Sequence, residues 1–145
     1  MDLKFSVSAV SETPTRVQVK TRNFTMYVDE PPQLGGEDKG ANPVEYLLAA
    51  LAGCLNVVGH MVARELNMKL DGLVIEIEGV LNPAKFQGKS NAERAGYKEI
   101  NVTIKAKTNA SEDVLKKWLQ IVESRCPVSD NIANPTPVKF NVTRA

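Results

Sequence analysis

The sequence is short of the residues that usually carry chemistry. It holds two cysteines, one histidine and one tryptophan in 145 residues, and aromatics make up only 6%. Two thiols and one imidazole cannot close a four-ligand structural zinc site, so no metal or other cofactor is expected. Serines with a single distant histidine give no hydrolase triad. Charge of one sign is missing as well: 18 Lys+Arg against 17 Asp+Glu leave a net charge of +1. A phosphate-tracking surface needs a concentrated positive field, so nucleic acid is not an expected partner. No repeat, low-complexity tract or linker breaks the chain, and its length fits one domain over residues 1–145. A chain of this size buries about 70% of its unfolded surface, enough for a core without staples.

Long hydrophobic runs are scarce too. The N-terminal MDLKFSVSAV alternates apolar and polar residues instead of forming the continuous core of a signal peptide. The longest apolar run, Tyr46 to Leu55, is too short to span a bilayer and is soon followed by Asn56 and His60. The expected setting is the reducing cytoplasm, away from membranes, where Cys54 and Cys126 are thiols.

What is present is a mixture of strand and helix patterns. Six segments alternate with period two, as half-buried strands do. Their dry faces are predicted as Phe5, Val7 and Ala9; Val17 and Val19; Phe24, Met26 and Val28; Leu73, Ile75 and Ile77; Ile100, Val102, Ile104 and Ala106; and Val138, Phe140 and Val142. One wet and one dry face imply antiparallel pairing. Arg22-Asn23 reads as the turn between the second and third strands. A first helix should open at Asn42-Pro43-Val44-Glu45, with Asn as N-cap and Glu closing a capping box, and run to about Leu66. A second should run from a Ser111 cap to about Ser124, with Val114, Leu115, Trp118, Leu119 and Val122 on its apolar face. A short third helix is predicted over Pro127–Ala133.

The first helix is apolar almost all round: Leu47, Leu48, Leu51, Leu55, Val57, Val58, Met61 and Val62 point in nearly every direction. Such a helix is buried on all sides, and a second copy of the chain is the expected cover, in an interleaved homodimer. The loop DEPPQLGGEDKGA lacks the Gly-Lys-Ser/Thr ending of a phosphate-binding loop. The connection from Asn82 to Gly96 is long enough to be a binding element.

Two buried, inert cysteines are the plain reading of Cys54 and Cys126. A functional reading needs a thiolate, and a thiol of pKa about 8.5 is only a few per cent ionised at pH 7. Cys54, mid-helix among apolar groups, has its pKa raised by burial and needs a cation supplied by tertiary structure. Lowering such a pKa from about 8.5 to about 6 multiplies the thiolate fraction at pH 7 roughly thirtyfold.

The run GANPVEYLLAALAGCLNVV, followed downstream by ESRCPVSDNIANPTPV and preceded by DEPPQLGG, resembles the OsmC/Ohr family of thiol-dependent peroxidases, and the likeness extends over essentially the whole chain. The resemblance implies an α+β fold, with antiparallel sheets wrapped around a buried central helix that bears the cysteine, in an intertwined homodimer. It implies that Cys54 is the peroxidatic thiolate and Cys126 the resolving thiol, forming a disulfide that an external dithiol, of lipoyl type for instance, reduces. Leu51, Leu55 and Val58 near Cys54 suggest organic hydroperoxides as substrates.

Two positions depart from the family's pattern. Its glutamate lies ten residues before the first cysteine, where this chain has Val44; Glu45 is the nearest acid and the candidate for that catalytic role, though its capping box is a sufficient explanation as well. Ten residues of helix rise about 15 Å, so contact with Cys54 would have to come across a dimer. The family's cation comes from the N-terminal strands or the loop before the cysteine helix; Arg16, expected to face solvent because it alternates with Val17 and Val19, Arg22 at a strand end, and Arg94 in the long loop all stay open, with Arg22 the choice. A member without peroxidase activity, binding a small apolar molecule at the interface, and a structural dimer with core cysteines stand as alternatives. His60 is expected at the surface or an interface, and Tyr46 and Tyr97 in packing.

Overall fold

A computed structural model describes all 145 residues, which fall into two compact units, Met1–Ala49 and Ala50–Ala145.

The first unit is a three-stranded antiparallel meander of β1 (Ser8–Ser11), β2 (Val17–Thr21) and β3 (Phe24–Val28), in that spatial order. The register pairs Ala9 with Val19 and Val19 with Met26, so the small apolar side chains stack on one face. Arg22 and Asn23 turn the second hairpin as predicted, with Arg22 in the left-handed region at φ 50°. The segment after β3 is organised by Asp29, which is fully buried. Its carboxylate accepts from Thr15 Oγ1 at 2.9 Å, from the amides of Glu30 at 2.8 Å and Lys39 at 3.1 Å, and from that of Glu37 at 3.3 Å. Gly36 is required here, because a Cβ would lie 1.8 Å from the Glu30 carbonyl oxygen. Arg16, expected to face solvent, lies at the surface with its guanidinium shared between Glu12 and Glu37, which ties the start of β2 to this loop.

Burial alone would push the Asp29 carboxyl up, but the amide and hydroxyl hydrogen bonds outweigh it and hold the pKa below its ordinary 3.8. A depressed folded-state pKa means that ionised Asp29 stabilises the fold fully above the unfolded value, and that this contribution disappears as pH falls through the folded one. The stability advantage of wild type over Asp29→Asn should therefore be level from about pH 5 to 8 and shrink below about pH 4. Glu65 and Glu93 also titrate low, but both proteins share them and they cancel. Denaturant melts at each pH would refute the assignment if the gap stayed constant into acid.

Helix α1 (Pro43–Glu65) opens with the predicted capping box: Asn42 Oδ1 accepts from the Glu45 amide at 2.9 Å, and Glu45 Oε2 accepts from the Asn42 amide at 2.8 Å. It closes with Asn67 in the left-handed region at φ 52°, the Met68 amide reaching Ala63 O at 2.8 Å and the Asn67 amide reaching Arg64 O at 3.2 Å. By length and composition α1 could cross a membrane, a test that the core helices of globular proteins also pass. Here Leu51, Leu55, Val58, Gly59, Val62 and Ala63 are packed inside the second unit.

In that unit the long hairpin of β4 (Gly72–Val80) and β5 (Glu99–Lys107) presents Leu73, Ile75, Ile77, Ile100 and Ile104 to the core. Val102, predicted to face the same way, is 40% exposed. Helix α2 (Glu112–Arg125) begins on Ser111, whose side chain accepts from the Val114 amide, and buries Trp118 and Val122. Leu119, expected on its apolar face, is exposed. Helix α3 (Pro127–Ala133) follows directly, over the predicted residues. The connection between β4 and β5 folds into turns over Pro83–Lys89, and Tyr97 lies against Gly79, where a Cβ would be 2.5 Å from its ring.

Two predicted strands are corrected. Residues 138–142 form no strand, and Val138, Phe140 and Val142 are 69%, 89% and 96% exposed. At the other end β1 starts only at Ser8, and Phe5 and Val7 are exposed as well. Alternation supplies a strand's side-chain pattern, but a strand also needs a ladder of partners for its amides and carbonyls, and neither segment pairs with a strand here; the Ser6 carbonyl accepts from the Thr21 hydroxyl at 3.0 Å.

Candidate functional site

Cys54 lies eleven residues into α1 from Pro43, and Cys126 ends α2 and caps α3. The fold brings these two thiols together across 72 residues of sequence, with Sγ–Sγ at 2.9 Å, and both are free. The Sγ of Cys126 accepts from the Ser129 amide at 3.4 Å, the side-chain cap of α3. Pro127 at N1 starts this short helix at once, so one residue ends one helix and begins the next. Ser129, Asp130 and Asn131, expected as turn and cap residues, serve α3: Asn131 Nδ2 donates to Pro127 O, and Asp130 O accepts from Asn134.

The two sulfurs differ in access. Cys126 has no exposed surface, whereas Cys54 is half-buried. Burial pushes the Cys54 thiol above its ordinary pKa, the adjacent Cys126 sulfur pushes it further, and the amide of Val128 pulls it back. No cation contributes. The arginine chosen from sequence, Arg22, holds its guanidinium 5.0 Å above the centre of the Phe24 ring. Glu45 has one carboxylate oxygen in the capping box and lies nine residues before Cys54, about 13.5 Å of helix rise. His60 is exposed, as expected, and the Tyr46 hydroxyl donates to Tyr27 O at 2.8 Å.

The apolar residues near Cys54 in sequence that suggest organic substrates are buried. Leu51, Leu55 and Val58 are 5%, 6% and 8% exposed and belong to the core. A helix buries the residues on the same face as its packing partner, and Leu51, Leu55, Val58 and Val62 repeat at the i, i+4, i+7, i+11 spacing of one face. The large apolar residues of α1 that remain exposed are Val44, Leu47, Val57 and Met61.

An ion pair that went unforeseen stands beside the site. Arg125 donates to both oxygens of Glu65, at 2.6 and 3.1 Å, and so fastens the residue before Cys126 to the end of the helix that carries Cys54. The sequence contained a signal for it: Glu65 sits at the negative end of the α1 dipole, where an acid is unfavourable without a countercharge.

A pair of adjacent thiols, one reachable and one enclosed, can be oxidised to a disulfide by any two-electron oxidant that reaches the first. Residues 36–141 match the family of OsmC-like proteins. The hydroperoxide reductase of Mycoplasma genitalium is 25% identical over 145 residues, spanning 99% of this chain and 96% of that one. Among solved structures, the OsmC-like protein from Mycoplasma pneumoniae superposes with a TM-score of 0.80 at 22% identity, covering 93% of this chain and 91% of that one. An organic hydroperoxide resistance protein from Elizabethkingia anophelis gives 0.66 at 18% identity, covering 93% of each.

Proposed function

The chain belongs to the OsmC-like family, and from that premise we propose that it is a thiol peroxidase that reduces organic hydroperoxides through Cys54 and Cys126. The observation that carries this reading is the 2.9 Å contact between a reachable and an enclosed thiol. The Cys54 thiolate attacks the peroxide O–O bond and becomes a sulfenic acid, releasing an alcohol. Cys126 then displaces water from the oxidised sulfur to give a disulfide, which an external dithiol, such as a lipoyl group, reduces. The name carried by the Mycoplasma genitalium relative supports the same chemistry.

The exposed side of α1 supports an apolar substrate and a second copy of the chain. Leu47, Val57 and Met61 on the helix, Leu3, Phe5 and Val7 at one terminus, and Val138, Phe140 and Val142 at the other are all exposed. Two alternating segments without strand partners fit a homodimer in which each chain supplies what the other lacks. In that assembly both units act as one domain, and any role of Glu45, or of Arg22 as the activating cation, is exerted across the interface. The cytoplasm, with reduced thiols, is the compartment that suits this chemistry.

The test is a single turnover. Reduced protein mixed with equimolar cumene hydroperoxide should lose both thiols to an intramolecular Cys54–Cys126 disulfide, read by intact mass, and faster than with hydrogen peroxide. Thiols that survive cumene hydroperoxide for many minutes would overturn the peroxidase reading, and light scattering that finds a monomer would overturn the dimer.

A further inference from the structure

The connection between β4 and β5 takes no part in the thiol site, yet it holds the chain's positive charge. Residues 82–98 carry Lys85, Lys89, Arg94 and Lys98 against one acid, Glu93, for +3; the whole chain is +1, so everything outside them is net −2. The tip is a single preformed helical turn. Asn82 Oδ1 accepts from the Ala84 amide at 3.0 Å, and the Gln87 amide donates to Pro83 O at 2.9 Å. The turn closes on Gly88 at φ 69°, with the Gly88 amide reaching Lys85 O at 3.1 Å and the Lys89 amide reaching Ala84 O at 2.8 Å. Glu93 fastens the base, accepting from Asn82 at 3.1 Å and pairing with Lys98 at 3.2 Å. This frame presents Phe86, 69% exposed, between Lys85 and Lys89, both exposed and neither in an ion pair.

The same hairpin carries the opposite charge a few residues away. Glu76, Glu78 and Glu99 lie on the outer face of β4 and β5. Glu76 is paired with Lys105 at 2.8 Å, but Glu78 meets no cation, and Glu99, diagonal to it across the strands, has only the Asn101 side-chain amide at 2.7 Å. Acids so placed repel one another. A recess of about 390 Å³ opens here, lined by Glu76, Ile77, Glu78, Asn101 and Thr103. Val80, on the same face, is 50% exposed.

An uncompensated basic tip and an uncompensated acidic face thus stand on one hairpin, and within one chain they do not meet. We infer that they meet between two copies: the Phe86 tip of each docks in the recess of the other, with Lys85 and Lys89 against Glu78 and Glu99. Glu78 and Glu76 lie two and four residues before Val80, about 7 and 13 Å along the strand. Two hairpins overlapped tip to tip about a two-fold axis therefore bring each loop over the other's acids, with the exposed Val80 side chains near the axis. A patch complementary to itself in this way closes as a pair. The aromatic supplies the anchor, and the charges choose the partner. No residue of this surface belongs to α1 or to the terminal segments, so it is a second interface, distinct from that of the proposed homodimer. It is small, and its affinity is accordingly modest and sensitive to salt.

The test is sedimentation velocity of the full chain at low salt, followed against concentration. Lys85→Glu/Lys89→Glu should weaken the association on the order of a hundredfold, because like charges then face one another, and at matched concentration the mass should fall by at least half. Glu78→Lys/Glu99→Lys, which leaves the Glu76–Lys105 pair in place, should do the same from the other side. Circular dichroism establishes that both variants fold. Mixed in equal amounts they should recover the mass of wild type, since each acidic loop then meets a basic face and each basic loop an acidic one. Phe86→Ser, with every charge kept, should weaken association about tenfold. A wild type no heavier than Lys85→Glu/Lys89→Glu would overturn the inference and leave the loop to a different acidic partner, and reversed variants that do not restore each other would overturn it too. None of these measurements involves peroxide or a thiol. If the homodimer proposed above is correct the reversed variants sediment as dimers, and if it is not they sediment as single chains, so the two interfaces stand or fall separately.

Discussion

Cys54→Ser should abolish peroxide reduction, by on the order of 10³-fold or more, while Cys126→Ser should complete one turnover and stop. The asymmetry follows from access. A peroxide can approach the half-buried Cys54 but not Cys126, which has no exposed surface. Removing Cys54 removes the nucleophile. Removing Cys126 removes only the group that resolves the sulfenic acid, and a serine there keeps a hydrogen donor. In the wild type the sulfurs stand 2.9 Å apart, and a disulfide needs a closing of only about 0.9 Å. Resolution should therefore outrun a second oxidation, and wild type should accumulate no sulfinic acid under a modest excess of peroxide. Cys126→Ser, with nothing to intercept its sulfenic acid, should gain first 16 and then 32 mass units, about one and two oxygens on the oxidation ladder. Dimedone added with the peroxide should trap the first product. Equal activity in Cys54→Ser and Cys126→Ser, or an unmodified Cys54 in the latter, would sink the assignment of roles.

The helices were legible because their signals are local. Asn42-Pro43-Val44-Glu45 carries its capping box within four residues, Ser111 caps α2, and Pro127 after Cys126 starts α3; the structure has each of them. The two hairpins were legible from alternation and from the Arg22-Asn23 turn. The terminal strands were not, since Val138, Phe140 and Val142 alternate as a strand does but pairing is a non-local property. The thiol pair lies between these cases. No spacing rule brings together residues 72 apart, so the juxtaposition of Cys54 and Cys126 came from family resemblance, while their 2.9 Å contact comes from the fold. Asp29 had no local signal in the sequence: it is buried because four donors converge on it from residues 15 to 39. Nor could alternation, which sent Arg16 to the surface, foresee the two glutamates that hold it there.

Trp118→Ala should cost about 3–5 kcal/mol, a large share of the 5–15 kcal/mol that a domain of this size has. Trp118 is 3% exposed, and its Nε1 donates to Gly59 O at 2.8 Å, joining α2 to α1. Gly59 is what allows the approach: a Cβ there would lie 3.1 Å from Trp118 Cζ2 and 3.2 Å from Leu73 Cδ1. The ring is fitted against bare helix backbone, so truncation opens a cavity that the rigid helix cannot collapse to fill. Trp118→Phe keeps most of the contact, and forfeits a hydrogen bond worth about 1 kcal/mol. Urea melts should therefore rank wild type, then Phe, then Ala, and near-equal midpoints for Phe and Ala would mean that the ring's packing matters less than its N–H. The consequence should reach the thiols. Cys126 belongs to the same buried cluster as Trp118 and Val122, and its protection from reagents depends on that cluster staying closed. Labelling of Cys126 by a maleimide should be slow in the reduced wild type, faster in Trp118→Ala under folded conditions, and unchanged in Trp118→Phe. If Cys126 labels as quickly in wild type as in Trp118→Ala, the enclosure that separates the roles of the two cysteines is not provided by this core.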